Sequence, residues 1–280
     1  MAFEQRRLRV DWVTPEREVG VLTFAWLCVA RRWHGRAVLE WHPADGPPRV
    51  LPGIVDPPVR RPDEPVDEVS VVLEGGEVLE VVLDARWPSW EPEEPCPIPE
   101  VGWRVAVPRA AVRATWSDGR ISEGEGYADW TWATWPLRRL GLQTWRWGRA
   151  HLDDRTVVFL DVRLAGHEWR VGADWIGGPT NLEAMRLGFD ADGGGAVGLG
   201  GRGPRDCELW LDPGRVLRDA PVVDAGRWPR WVERMVAEGL DGPAHETRWL
   251  SDASLRGPGV DRKVRGVALH ELVSFGTRTG

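Results

Sequence analysis

The chain has 280 residues, a formal net charge of −7 and 42% hydrophobic residues, with a mean hydropathy of −0.35. A chain of this length can bury a sizeable core, either as one large β domain or as two domains. The negative charge argues against nucleic acid as a partner, because phosphate binding requires a cationic surface.

Targeting and cofactor signals are absent from the sequence. The first ten residues lack the apolar core of a secretory signal, so we expect a cytoplasmic protein. The longest apolar run, residues 19–30, is too short to span a bilayer, and we predict no integral membrane segment. The histidines and cysteines show no metal-ligand spacing, and no nucleotide fingerprint or nucleophile elbow occurs. We therefore predict neither a metal nor a cofactor.

Alternation of apolar and polar residues predicts antiparallel strands in the first half of the chain. Residues 69–73 and 78–83 predict a hairpin around the glycine turn at 74–77. Residues 103–107 and 111–116 predict two more strands. The proline- and acid-rich stretches 57–67 and 88–99 predict long surface loops.

The second half of the chain follows the same pattern. We predict a three-strand meander at residues 145–152, 156–164 and 167–173, and further strands at 184–189, 207–211, 245–250 and 264–275. Residues 229–238 alone have helical spacing, and they predict one short helix. The predicted fold class is therefore all-β, with short strands that are typical of barrels or sandwiches.

The densest candidate chemistry lies at residues 124–150. This segment holds Asp129 and Tyr127, the only tyrosine, together with five of the 19 tryptophans: Trp130, Trp132, Trp135, Trp145 and Trp147. An acid that is held against aromatic rings can protonate an alkene, and the ring faces can stabilise the resulting cation. The same rings could equally form a hydrophobic core with a polar rim.

Each of these residues also has a purely structural interpretation. Asp129 fits a structural hydrogen-bonding role, and Tyr127 fits a core ring with a satisfied hydroxyl. The uneven spacing of the tryptophans places some of them in a core and others at a cavity or an interface. Arg149, which follows the tryptophans, fits either stacking on Trp147 or an ion pair with Asp161.

The pattern Gly-x-Gly-Tyr-x-Asp-x-x-Trp-x-x-Trp-Pro-Leu, followed by Trp-x-Trp-Gly-Arg-Ala, resembles the bacterial carotenoid 1,2-hydratase (hydroxyneurosporene synthase) family. That family includes AttH-like relatives and lipocalin-like cyclases and pericyclases. The resemblance covers residues 124–161 and a closing strand at 265–271. It implies two tandem lipocalin-like (calycin) antiparallel β-barrels, which we assign to residues 1–137 and 138–280.

The resemblance also implies a function for the motif. Small barrels of this kind enclose an apolar ligand cavity, and the family's catalytic pair corresponds to Tyr127 and Asp129. We therefore predict a cofactor-independent enzyme that acts on a hydrophobic isoprenoid or polyene. In this mechanism burial among tryptophans raises the pKa of Asp129, which protonates a double bond. Capture of the cation by water makes a hydratase, and capture by an internal alkene makes a cyclase.

The predicted substrate-binding residues are Trp130, Trp132, Trp135, Trp145, Trp147 and Arg149. Two other functions remain open for the same cavity. A lipocalin-like pericyclase of natural-product biosynthesis would use the cavity to hold reacting ends together. A non-catalytic carrier would bind the hydrophobic ligand, with Asp129 in a structural role. The sequence does not predict the oligomeric state.

Overall fold

A computed structural model describes residues 3–55, 61–137, 139–164, 166–182, 185–200, 207–221, 244–257 and 264–275. These residues form 18 strands and no helix, which confirms the predicted all-β class. Accordingly, no helix in this part of the chain could cross a membrane. The helix predicted at residues 229–238 lies outside the described residues.

The described chain divides into two compact units. The first comprises residues 3–91 and 98–140, and the second comprises residues 92–97, 141–221 and 244–275, apart from the gaps given above. The short segment 92–97 thus groups with the second unit, although the strands on both sides of it belong to the first. The division into domains at 1–137 and 138–280 stays a prediction.

The first unit is a closed antiparallel barrel of eight strands in sequence order. Its strands are β1 (Phe3–Val13), β2 (Val19–Val29), β3 (Arg32–His42), β4 (Arg49–Ile54), β5 (Glu68–Leu73), β6 (Val78–Ala85), β7 (Val101–Trp116) and β8 (Ile121–Ala133). Strand β8 pairs with both β7 and β1, and this pairing closes the barrel. The predicted hairpin is β5–β6, whose turn contains Gly75 and Gly76 at φ of 96° and 86°. Glycine adopts such angles without steric cost.

Aromatic side chains fill the interior of this barrel. Trp26 stacks on Trp130 with ring centroids 5.6 Å apart, and Trp41 meets Trp116 edge-on at 5.6 Å. Trp12 is fully buried beside them, and its Nε1 donates to Ser122 Oγ at 3.1 Å. The barrel interior is therefore a packed core, in which the even-numbered residues of β1 and β8 take part.

The second unit is one curled antiparallel sheet in the form of a half-barrel. Its strands are β9 (Leu142–Leu152), β10 (Thr156–Leu164), β11 (His167–Trp175), β12 (Pro179–Asn181), β13 (Arg186–Phe189), β14 (Gly195–Leu199), β15 (Cys207–Leu211), β16 (Arg215–Pro221), β17 (Ala244–Arg256) and β18 (Arg265–Phe275). The order is β12-β11-β10-β9-β18-β17-β15-β14-β13, with β16 also paired to β17. The predicted meander is confirmed as β9–β11. Among the described residues, β12 and β13 do not pair, so the sheet is open there.

The inner face of this sheet buries a histidine. His270 on β18 is fully buried, stacks on Trp249 with centroids 5.2 Å apart, and has Nε2 3.0 Å from Ser251 Oγ. Burial, reinforced by the positive charge of Arg146 and opposed by Glu271, lowers the pKa of His270 to about 3. The folded protein therefore keeps this imidazole neutral.

We predict that His270 makes the protein less stable in acid. An unfolded chain protonates this residue near its ordinary pKa of about 6.5, whereas the folded chain does so only near 3. The unfolded state therefore binds more protons in this window, and the free energy of unfolding falls as the pH drops, by up to about 1.4 kcal/mol per pH unit. Urea unfolding between pH 7 and pH 4 measures the slope. A His270→Gln variant should show a shallower slope, and an equal slope would contradict the prediction.

The barrel core leaves no room for a side chain at Gly20 on β2. A Cβ there would lie 2.2 Å from the Trp12 indole, and Trp12 is enclosed by the core. We expect Gly20→Ala to reduce the free energy of unfolding by about 1–3 kcal/mol, because an overpacked core must shift. Gly188→Ala is the control, since a Cβ at that strand position has nothing within 4 Å. Equal unfolding free energies for the two variants would contradict this account.

Candidate functional site

Strand β8 places Asp129 on the outer face of the barrel. Side chains alternate along a strand, and Ala128 and Trp130 belong to the barrel core. Tyr127, Asp129 and Thr131 therefore face the opposite way. They are nevertheless buried, with exposed fractions of 0%, 1% and 7%. The outer face of β8 thus holds a carboxyl group that is shielded from solvent.

The carboxyl group of Asp129 receives two hydrogen bonds on the same oxygen. Trp103 Nε1 donates to Asp129 Oδ2 at 2.9 Å, and the Tyr127 hydroxyl donates to it at 3.3 Å. Trp103 lies on the neighbouring strand β7 and meets Trp90 edge-on, with centroids 5.7 Å apart. Trp90 is fixed in turn by an isolated bridge to Val105. These contacts set the orientation of the indole, and the indole sets the orientation of the carboxyl group.

Strand β1 adds charged groups beside Tyr127 and Asp129. In the β1–β8 register Arg9 lies opposite Asp129, and Asp11 lies opposite Tyr127. Residues that are directly opposite share a face of the sheet. Arg9 Nε is 3.4 Å from Asp11 Oδ2, and both side chains are almost completely buried. Buried charges are tolerated when they are paired, so this face combines a guanidinium, two carboxyl groups and a phenol.

Thr131 lies on the same outward face of β8 as Tyr127 and Asp129. Its hydroxyl is buried and makes no hydrogen bond within the described part of the chain. In the β7–β8 register it lies opposite Trp103. A buried hydroxyl without a partner is uncommon and calls for an explanation. Thr131 is therefore a candidate for contact with a bound molecule at this face.

Two of the predicted substrate-binding tryptophans are not on the face of Asp129. Trp130 packs inside the barrel, and Trp132 packs against the same core from the same side of β8. The physical reason is the two-residue period of a strand, which sends residues 130 and 132 to the face opposite residue 129. Trp135 follows the end of β8 and is 48% exposed.

The other predicted residues, Trp145, Trp147 and Arg149, lie on β9 in the second unit. All three are buried and share the outer face of that sheet, opposite Ala150 and Leu152 of the inner core. The guanidinium of Arg149 lies 3.2 Å from His151 Nδ1. Asp161, the suggested acidic partner, is on the inner face and is bound by Arg170, with Nε 3.0 Å from Oδ1.

Sequence reasoning missed Arg9, Asp11, Trp103 and Thr131. A signal existed for the first two, since they interrupt the apolar strand segment Leu-Arg-Val-Asp-Trp-Val. Charges that alternate with apolar residues usually indicate a solvated face, whereas here they are buried. In the described ranges, no group of three or more His, Cys, Asp or Glu residues could hold a metal ion. The site is thus built from an acid, a phenol, a guanidinium and indoles.

We predict that the Trp103 hydrogen bond stabilises the site beyond ring packing. Trp103→Phe and Trp130→Phe remove the same indole edge from buried rings, but the Nε1 of Trp130 makes no hydrogen bond within the described residues. Trp103→Phe should lower the free energy of unfolding by about 0.5–1.5 kcal/mol more than the control, the usual net value of a hydrogen bond. Chemical denaturation measures both variants. Equal losses would show that the bond to Asp129 adds nothing.

Solved structures share this fold, although no family model and no curated protein matches the chain. The crystal structure of CghA with Sch210972 has a TM-score of 0.68 at 13% identity, covering 99% of this chain and 90% of CghA. A putative AttH (NE1406) from Nitrosomonas europaea has a TM-score of 0.53 at 15% identity, covering 99% of this chain and 93% of that one. Kievitone hydratase from Nectria haematococca follows, with a TM-score of 0.48 at 12% identity, covering 96% and 88% of the two chains. The chain therefore has the lipocalin-like all-β fold of CghA and the AttH protein, as the sequence resemblance implied.

Proposed function

We propose that the protein is a cofactor-independent enzyme that acts on a hydrophobic isoprenoid or polyene at the Tyr127–Asp129 pair. The observation that carries the proposal is the buried hydrogen bond from the Tyr127 hydroxyl to Asp129 Oδ2. A phenol and a carboxyl group that are hydrogen-bonded to each other in a solvent-shielded place are suited to general acid–base catalysis. The indole of Trp103, which binds the same oxygen, places an aromatic ring beside them.

The proposed reaction begins with proton transfer from the pair to an alkene carbon. The π electrons of the double bond form the new C–H bond, and the neighbouring carbon becomes a carbocation. Aromatic faces such as that of Trp103 stabilise the cation. In a hydratase, water adds to the cation and returns a proton to the pair. In a cyclase, an internal alkene adds and a later C–H bond supplies that proton, so the pair is restored in both cases.

The fold agrees with a small-molecule substrate. CghA, which has the same fold, was crystallised with the small molecule Sch210972. At 13% identity this likeness extends to the fold, so the choice of substrate here depends on the residues themselves. Beside its charged groups, this solvent-shielded face presents the indole of Trp103 and the ring of Tyr127, and aromatic surface of this kind suits an apolar alkene.

A pericyclase is the second candidate, and the charges around Asp129 favour it. Two donors bind Oδ2, and Arg9 lies opposite on β1. Donors and a nearby cation stabilise a carboxylate anion. If Asp129 stays ionised, it orients Tyr127 instead of giving up a proton, and catalysis depends on holding the reacting ends together. The third candidate, a carrier, would bind the ligand without turnover.

Turnover in D2O distinguishes the three functions. The probes are lycopene and geranylgeraniol, two acyclic isoprenoids, and the products are analysed by mass spectrometry. Alkene protonation places one non-exchangeable deuterium on carbon, whereas a pericyclic reaction places none. We expect Asp129→Asn to reduce turnover by about a hundredfold or more and Tyr127→Phe to reduce it as well. Asp118→Asn, in an exposed turn of the same unit, is the control.

Each of the three functions predicts a different outcome. Product with carbon-bound deuterium, lost in Asp129→Asn but kept in Asp118→Asn, supports the acid mechanism. Product without deuterium, formed equally by a folded Asp129→Asn variant, refutes protonation and supports the pericyclase. Saturable binding of a probe without any product supports the carrier.

A further inference from the structure

A second feature lies on the inner face of the second sheet. Arg146 on β9 is opposite Leu272 of β18 and Asp161 of β10. The even-numbered residues of β9 point inward, because Ala150 belongs to the inner core. Arg146 is half-buried, and its guanidinium lies on the inner face of the half-barrel.

This guanidinium has no bound anion in the described residues. Its guanidinium carbon lies 3.9 Å from the ring centroid of Phe189. The Asp161 carboxylate opposite it is bound by Arg170. Burial lowers the pKa of Arg146 to about 10, with Asp161 opposing the shift. Arg146 is thus still protonated at neutral pH, and a half-buried cation without a hydrogen-bonded counter-ion is costly.

The surroundings of Arg146 are apolar and aromatic. Phe189 packs against Phe159 and against His270, with ring centroids 5.9 Å apart in both contacts. Leu272, opposite Arg146, is half-buried. His270 Nδ1 is buried and makes no hydrogen bond within the described part of the chain. The inner face therefore places the Arg146 guanidinium near aromatic rings and near an imidazole nitrogen that makes no hydrogen bond in the described residues.

We propose that this inner face binds an amphiphilic anion, with its carboxylate or phosphate on Arg146 and its apolar body against Phe189 and Leu272. A guanidinium presents a planar fork of donors that matches these oxyanions. The apolar side chains beside it would bury the body of the ligand, as in other small-molecule sites. The proposal goes beyond the proposed function, since it uses neither Tyr127 nor Asp129.

A structural role for Arg146 predicts a different result. If its purpose is the cation–π contact with Phe189, removal of the charge should lower the melting temperature. If its purpose is to bind an anion, the ligand-free protein carries an uncompensated charge, and Arg146→Gln should melt at the same or a higher temperature. Under the binding proposal, Arg146→Gln weakens anion binding without lowering the melting temperature. Under a structural role, the same substitution lowers the melting temperature.

Isothermal titration calorimetry with four probes tests the proposal on the full chain. Laurate and dodecyl phosphate are the two amphiphilic anions, dodecanol has the apolar body without charge, and inorganic phosphate has the charge without the body. The variant is Arg146→Gln. The matched control is Arg163→Gln on β10, an exposed arginine whose ion pair is with the exposed Glu168.

We expect at least one amphiphilic anion to bind wild type and Arg163→Gln equally, and Arg146→Gln at least tenfold more weakly. A preference between laurate and dodecyl phosphate identifies the anionic group. The proposal is overturned if neither amphiphile binds, if dodecanol or inorganic phosphate binds as tightly, or if folded Arg146→Gln keeps full affinity. The comparison of probes on wild type needs no variant, so misfolding of Arg146→Gln would not remove the test. Neither readout involves turnover, so failure here leaves the proposed function unaffected.

Discussion

Closure of the first barrel between β8 and β1 is the constraint on which the candidate site depends. The two glycines of the Gly-x-Gly motif make this closure sterically feasible. A Cβ at Gly124 would lie 2.3 Å from the carbonyl oxygen of Val13, and one at Gly126 would lie 2.5 Å from that of Asp11. Neither approach is compatible with a side chain. The motif that precedes Tyr127 is therefore explained by backbone packing, and the register it permits places Arg9 opposite Asp129.

The second sheet has a similar close approach between its own central strands. A Cβ at Gly266 of β18 would lie 1.9 Å from the His151 carbonyl oxygen on β9, and one at Gly148 would lie 2.4 Å from the Phe159 ring. Close pairing of β9 and β18 leaves polar groups buried on both faces. On the outer face, Arg248 binds Glu271, with Nε 3.2 Å from Oε2. Such paired charges stabilise one arrangement of the strands because breaking either partner leaves a buried charge.

The β5–β6 hairpin was predictable because only one face of its strands is buried. Strand β5, and β6 as far as Asp84, alternate between buried and exposed residues, and the sequence shows the same period. Strand β8 differs because residues 126–131 are all buried. Parity alone shows that Asp129 and Trp130 face opposite ways, but it does not show which face is the core. That depends on the partners of β8 in the closed barrel. The predicted group of Asp129 and its neighbouring tryptophans therefore divides between two faces.

Long-range pairing also explains what the sequence left out of the site. Trp103 is 26 residues from Asp129 in sequence, and its hydrogen bond exists because β7 and β8 are neighbours. Arg9 and Asp11 are still further away along the chain, and only barrel closure brings them to this face. Strand β1 was not among the predicted elements, so the alternation of Arg9 and Asp11 with apolar residues could not be assigned to a face of the barrel. Chemistry assembled from three strands cannot be read from the segment that carries its most distinctive residues.

Lys263 is the only lysine in the sequence, so arginine supplies nearly all the cationic side chains that can contact aromatic rings. Guanidinium groups lie over rings in the pairs Arg6–Trp33, Arg86–Trp87, Arg120–Trp116, Arg146–Phe189 and Arg256–Trp210. Arg86, Arg120 and Arg256 are exposed, where water solvates the charge, and half-buried Arg6 has Glu4 at 2.6 Å. Arg146 is half-buried, and no acid binds it within the described residues. Stacking on a ring satisfies the face of a guanidinium, but its N–H groups point outward in the plane and still require acceptors. An oxyanion on the inner face would supply them, which is why the contact with Phe189 does not by itself account for this residue.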